Sequence, residues 1–156
     1  MDLKFLCIIQ ARVGSTRLPN KVLQLINGKS LIEILLHRLS ISEKIDKIIL
    51  ATSDTNENDT LADLVSNLGY DVYRGSEKNV LNRYVKAAKK YSPEAIVRIT
   101  GDCPIIDSEI VDNIIKVFEK NDYDYVSNID PPTFPDGLDV EVFRYKCLVD
   151  ANEEAK

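Results

Sequence analysis

Apolar positions fall into two alternating rhythms along the chain. "KFLCIIQ" (4–10) is close to continuous, as expected for a strand covered on both faces. "KIILATS" (47–53), "DVYRG" (71–75) and "AIVRIT" (95–100) read as further strands. Between them "KSLIEILLHRLS", "TLADLVSNLG" and "VLNRYVKAAKKY" repeat at helical spacing. Ser30 and Glu33 have capping-box spacing, Gly69 suits a C′ position, and Asp107 is placed to cap "SEIVDNIIKVFEK". "YDYVSN" and "LDVEVF" read as later strands around the proline-rich "IDPPTFPDG". This alternation with short links predicts an α/β fold, a mostly parallel sheet with helices on both faces.

The 156 residues suit a single domain, 1–156, large enough to bury a real core. The closing "YKCLVDANEEAK" is helix-like but lacks a C-cap or a following strand. The chain is therefore expected to be the N-terminal portion of a longer one.

Charge changes the picture more than composition does. The net charge is −5, which argues against a nucleic-acid binder dependent on a broad basic face. Yet residues 1–30 hold five cations (Lys4, Arg12, Arg17, Lys21, Lys29) against one acid, Asp2. So small a basic island suits a compact anion such as a phosphate chain. No apolar run is long enough for a membrane span, and the start is unlike a signal peptide, so a cytoplasmic protein is expected. Three cysteines without a C-x-x-C pair argue against a disulfide framework or a zinc site.

In open α/β sheets, ligands sit beyond the carboxyl ends of the strands. Two segments occupy such positions. In "ARVGSTRLPNK", Gly14 permits close backbone approach, and Ser15 and Thr16 add hydroxyl donors. Arg12 and Arg17 offer planar forks to phosphate oxygens, and Lys21 a mobile point charge. The same residues would also suit a solvated turn with ordinary salt bridges. In "RITGDCPIID", Gly101 marks a tight exit and Asp102 projects from the strand end, placed for Mg²⁺, which takes one or two carboxylates plus phosphates and water. An Asx-turn role for Asp102 stays open.

Several lookalikes fail. "NGKS" (27–30) resembles a P-loop tail, but position 23 is Leu, so it reads as a turn feeding a helix cap. No G-x-G-x-x-G follows the first strand. Cys103 has no evident base, since the only histidine, His37, lies within a helix pattern. Asp122 and Asp124 have D-x-D spacing, explained as well by a turn entering a strand.

"IIQARVGSTRLPNKVL", "VRITGDCPIID" and "FPDGLDVEVF" together resemble the cytidylyltransferases that activate sugars, among them CMP-KDO synthetase and acylneuraminate cytidylyltransferase. The resemblance is strongest to the spore coat polysaccharide biosynthesis protein F group. It implies a Rossmann-like nucleotidyltransferase fold and the reaction of CTP with a sugar to give CMP-sugar and pyrophosphate, with Mg²⁺. Arg12, Ser15, Arg17 and Lys21 match the triphosphate-binding motif, and Asp102 matches the metal ligand. Arg74 matches an arginine near the nucleotide, and Asp139 and Glu141 are expected towards the sugar. A homodimer is the implied assembly. Two other readings stay open: a glycosyltransferase using a nucleotide sugar, with Asp122 and Asp124 as its metal site, and a non-catalytic nucleotide-binding domain.

Overall fold

The computed structural model describes residues 3–14 and 18–155. In chain order the elements are β1 (Phe5–Gln10), β2 (Leu25–Ile26), β3 (Lys29–Ser30), α1 (Leu31–Leu39), β4 (Lys47–Ser53), α2 (Asp59–Asn67) and β5 (Asp71–Gly75). There follow α3 (Val80–Lys89), β6 (Ala95–Thr100), α4 (Ser108–Asn121), β7 (Tyr125–Ser127), β8 (Glu141–Arg144) and α5 (Tyr145–Glu154). The main sheet runs β5-β4-β1-β6-β8-β7. β1 pairs in parallel with β4 and β6, and β4 with β5; β8 runs antiparallel to both β6 and β7.

The centre of the sheet is apolar because both faces are covered. On one side α1, α2 and α4 press Leu35, Leu36, Leu61, Val65, Ile115 and Phe118 against Cys7, Ile9, Leu50 and Val97. On the other, α3 and α5 bring Tyr84, Ala87, Ala88 and Leu148 onto Leu6, Ile8, Ile49 and Ile96. The helices follow their patterns. Ile32, Leu35, Leu36 and Leu39 form one buried stripe on α1. Burying each such side chain stabilises the fold by roughly 1.5–3 kcal/mol relative to exposure. Alternation along β1 therefore assigns each side chain to one layer or the other.

The local signals also hold. Ser30 and Glu33 form the capping box of α1, Asp107 accepts from the Glu109 and Ile110 amides at the start of α4, and Gly69 follows α2 with φ +87°. The "NG" step does more than lead into a cap. Asn27 (φ 51°) and Gly28 (φ 80°) form the two-residue turn of the β2–β3 hairpin, the signature of a type I′ connection. At the other end, "LDVEVF" enters the ladder late, at Glu141. Before it, Asn128 occupies the backbone: its side chain accepts from Val140 N at 2.8 Å and donates to Leu138 O at 2.8 Å. With the Asn128 amide donating to Val140 O at 3.3 Å, those bonds hold the segment ahead of the regular β8 ladder.

Candidate functional site

Parallel pairing of β1 and β6 brings two distant loops together. Gln10 and Thr100 are register partners at the carboxyl ends of these strands, and Gly101 N donates to Gln10 O at 2.8 Å. A Cβ at Gly101 would meet Ala11 Cβ at 2.5 Å and the Gln10 carbonyl at 3.2 Å. Only a glycine lets the two chains lie this close, and that closeness carries Asp102 to the edge of the first loop.

The first loop is tied at both described ends. Val13 N donates to the buried Asn58 side chain at 2.9 Å, and Asn58 in turn donates to Thr55 Oγ1 at 2.9 Å. Asn20, in the left-handed region with φ 57°, donates its amide to Val13 O at 3.2 Å. Beyond it a short 3-10 turn, Lys21–Leu23, buries Val22 in the core and leaves Lys21 part-exposed above.

The result is a cleft of about 450 Å³. Arg12, Leu18 and Lys21 form one wall, Gly101 and Asp102 the other, with Gln10, Val22 and Thr100 between them. Lys21 Nζ stands 3.8 Å from Asp102 Oδ2, and the Asp102 side chain keeps 58% of its exposure. This is a loose pair, held in place by the backbone, that leaves most of the carboxylate free for another cation. Arg12 sits at the rim, its Nη1 3.1 Å from Glu77 Oε1.

Of the residues expected here, Arg12, Lys21 and Asp102 meet in the cleft. Gly14 is not among the lining residues; a Cβ there would come within 3.3 Å of Glu57. Ser15, Thr16 and Arg17 lie outside the described residues. Arg74 is elsewhere, on edge strand β5, its guanidinium 2.6 Å from Asp59 and bonded to the Thr55 and Ser53 carbonyls at 3.0 and 3.4 Å. Glu141 pairs with Arg98 across the β6–β8 ladder and accepts from Tyr125 at 2.8 Å. Asp139 lies close to Cys103. Neither of these two acids lines the cleft.

Cys103 is buried, and that burial, with Asp102 adding to it, pushes its thiol above the ordinary range, which is unsuited to a thiolate nucleophile. Asp122 and Asp124 both face Arg144, Asp124 at 3.2 Å, and bind that guanidinium rather than forming a metal cage. Among the described residues no cluster of three or more His, Cys, Asp or Glu could hold a metal ion. Sequence reasoning missed Gln10, Thr100, Asn58 and Glu77. For Gln10 a signal exists: it is the polar residue ending an otherwise apolar strand.

A crossover α/β sheet with Lys21 and Asp102 facing each other at its carboxyl edge has a charged cleft where open sheets of this class take their ligands. A family model described as cytidylyltransferase matches residues 6–154, and the chain belongs to that family. It is 45% identical over 154 residues to the uncharacterized protein MJ1063 of Methanocaldococcus jannaschii, covering 99% of this chain and 62% of that protein. It is 40% identical over 151 residues to the spore coat polysaccharide biosynthesis protein SpsF of Bacillus subtilis, covering 93% and 61%. A cytidylyltransferase structure from Leptospira borgpetersenii superposes with a TM-score of 0.90 at 33% identity, covering 97% of this chain and 64% of that one. The chain thus spans less than two thirds of the length of these relatives.

Proposed function

We propose that this chain carries the nucleotide-handling part of an enzyme that transfers CMP from CTP to a sugar, releasing pyrophosphate. The observation that supports it most is the meeting of Lys21 and Asp102 across the cleft, in a chain of the cytidylyltransferase family.

The chemistry follows from that arrangement. A sugar hydroxyl oxygen forms a bond to the α-phosphorus, the bond from that phosphorus to the bridging β-oxygen breaks, and pyrophosphate carries away the electron pair. The hydroxyl proton passes to solvent. Catalysis here is mostly positioning and neutralisation of charge. Lys21 places a point charge where negative charge grows on the departing group, and Arg12 adds a fork at the rim. Asp102 would hold Mg²⁺: its exposed carboxylate suits an ion that completes its shell with phosphate oxygens and water. When bound, the ion would offset charge on the triphosphate and lower the pKa of a coordinated hydroxyl.

The reading extends to surface-polysaccharide biosynthesis, from the likeness to SpsF, and to the cytoplasm, where nucleoside triphosphates are held. No described helix is long and apolar enough to cross a membrane. A homodimer belongs to the same reading and is checked by light scattering.

A thermal-shift panel of CTP, UTP, ATP and GTP with and without Mg²⁺ tests it, on this chain and its full reading frame. CTP at a hundred times its Kd should stabilise the fold by ~2.7 kcal/mol. Pyrophosphate should then be released from CTP only when a sugar acid is added. Equal, metal-independent shifts with every nucleotide would reject the reading.

A further inference from the structure

Gln10 ends β1 on the face covered by α3 and α5, and it is one of the residues that border the cleft. Its Oε1 accepts from Arg98 Nη2 at 3.4 Å and from the Tyr84 hydroxyl at 3.4 Å. Arg98 is itself fixed. It pairs with Glu141, its register partner on β8, and the other Glu141 oxygen accepts from Tyr125 at 2.8 Å. Tyr84 is buried on α3, which holds its phenol protonated, chiefly by desolvation.

A guanidinium only donates, so the amide oxygen is the end that must face Arg98. That fixes which way round the amide stands and leaves its NH₂ directed away from the network. Among the described residues Gln10 Nε2 forms no hydrogen bond, and Gln10 borders the cleft that also holds Arg12, Lys21 and Asp102. The network carries no surplus charge, because Glu141 balances Arg98. Gln10 thus offers a neutral donor without a partner among the described residues, at a position that borders the cleft beside Thr100.

We infer that Gln10 is a specificity-determining residue of this cleft, its Nε2 donating to an acceptor oxygen of the ligand, and that Arg98 is the positioning residue that sets its orientation. This rests on the cytidylyltransferase reading. The acceptor oxygen belongs either to the nucleotide (base or ribose) or to the sugar, and these share one chemistry.

Gln10→Glu separates the cases. The new carboxylate keeps the bond to Arg98 but turns a repelling oxygen towards the ligand, so the fold is retained. Calorimetric titration with CTP·Mg²⁺ and with 3-deoxy-manno-octulosonate reads the result, on wild type, Gln10→Glu and Arg98→Lys. The expected outcome is a loss of about tenfold or more in affinity for one ligand, with melting temperature preserved. Loss for CTP assigns the oxygen to the nucleotide, and loss for the sugar acid alone assigns it to the sugar. Arg98→Lys should weaken the same ligand, since a lysine cannot hold the amide and Glu141 together. CTP affinity within twofold of wild type, with no Gln10-dependent sugar binding, overturns the inference. A wild-type chain that binds no CTP rejects the cytidylyltransferase reading itself, and the inference falls with it.

Discussion

Lys21 Nζ lies 3.8 Å from Asp102 Oδ2, although one belongs to the loop after β1 and the other to the loop after β6. Neither residue depends on the other for its position. Val22 anchors the first in the core, and the contact of Gly101 with Ala11 anchors the second. The backbone therefore brings opposite charges together at the mouth of the cleft, and the proposed function gives them a ligand carrying both phosphate and cation.

Lys21→Ala and Asp102→Asn should each lower turnover by about 10²-fold or more, the scale of losing one electrostatic stabiliser. Steady-state pyrophosphate release measures this, with melting temperature as the control. The pair is exposed and loose, so stability should change by less than ~1 kcal/mol.

Gly101→Ala should be costly for the opposite reason. Its Cβ would stand 2.5 Å from Ala11 Cβ and 3.2 Å from the Gln10 carbonyl, so β1 and the loop after β6 must separate. A loss of about 1–3 kcal/mol is expected in urea unfolding, as for other overpacked sites. Nucleotide binding should fall along with it, because the same shift moves Asp102.

Asn58→Ala removes the acceptor for Val13 N and leaves that amide partly buried without a partner. About 1–3 kcal/mol of stability should be lost. Hydrogen exchange should rise at Val13 and Asn20 before it rises in the β1 core.

Glu119 joins two strand-preceding lysines, Lys4 at 2.7 Å and Lys44 at 2.8 Å. The hydrogen bond from Lys4, then that from Lys44, holds its carboxyl below the ordinary 4.5. A depressed carboxylate stabilises the fold above its unfolded pKa, and the contribution disappears as pH falls through the lower folded value. Wild type should therefore lose more stability than Glu119→Gln between neutral pH and pH values below 4.5. The difference should be about 0.5–1 kcal/mol and shrink in high salt, since the site is partly solvated.

Most of the fold was legible because one force wrote it. β4, β5 and β6 coincide with "KIILATS", "DVYRG" and "AIVRIT", where apolar runs end at turn residues. The late entry of β8 was not legible, because it depends on an Asn128 side chain that bonds to backbone twelve residues away. Arg12, Lys21 and Asp102 could be picked out because charge following an apolar strand is conspicuous. Arg74 could not be placed: a guanidinium reaches many acceptors, and whether Asp59 or a ligand takes it depends on packing between β5 and α2. For Gln10 the sequence offered its polarity at the end of an apolar strand, but not its contact with Arg98, nearly ninety residues on.

The parallel pairing of β1 with β6 has a kinetic consequence. The cleft between Lys21 and Asp102 does not exist until those two strands have joined, and everything between them must first be folded back or looped out. Long-range closure of this kind is slow, and it comes late. A nucleotide added to refolding protein should accordingly leave the rate of collapse unaltered and report only the completion of the molecule's centre, a chemical clock stopped by the last strand to arrive.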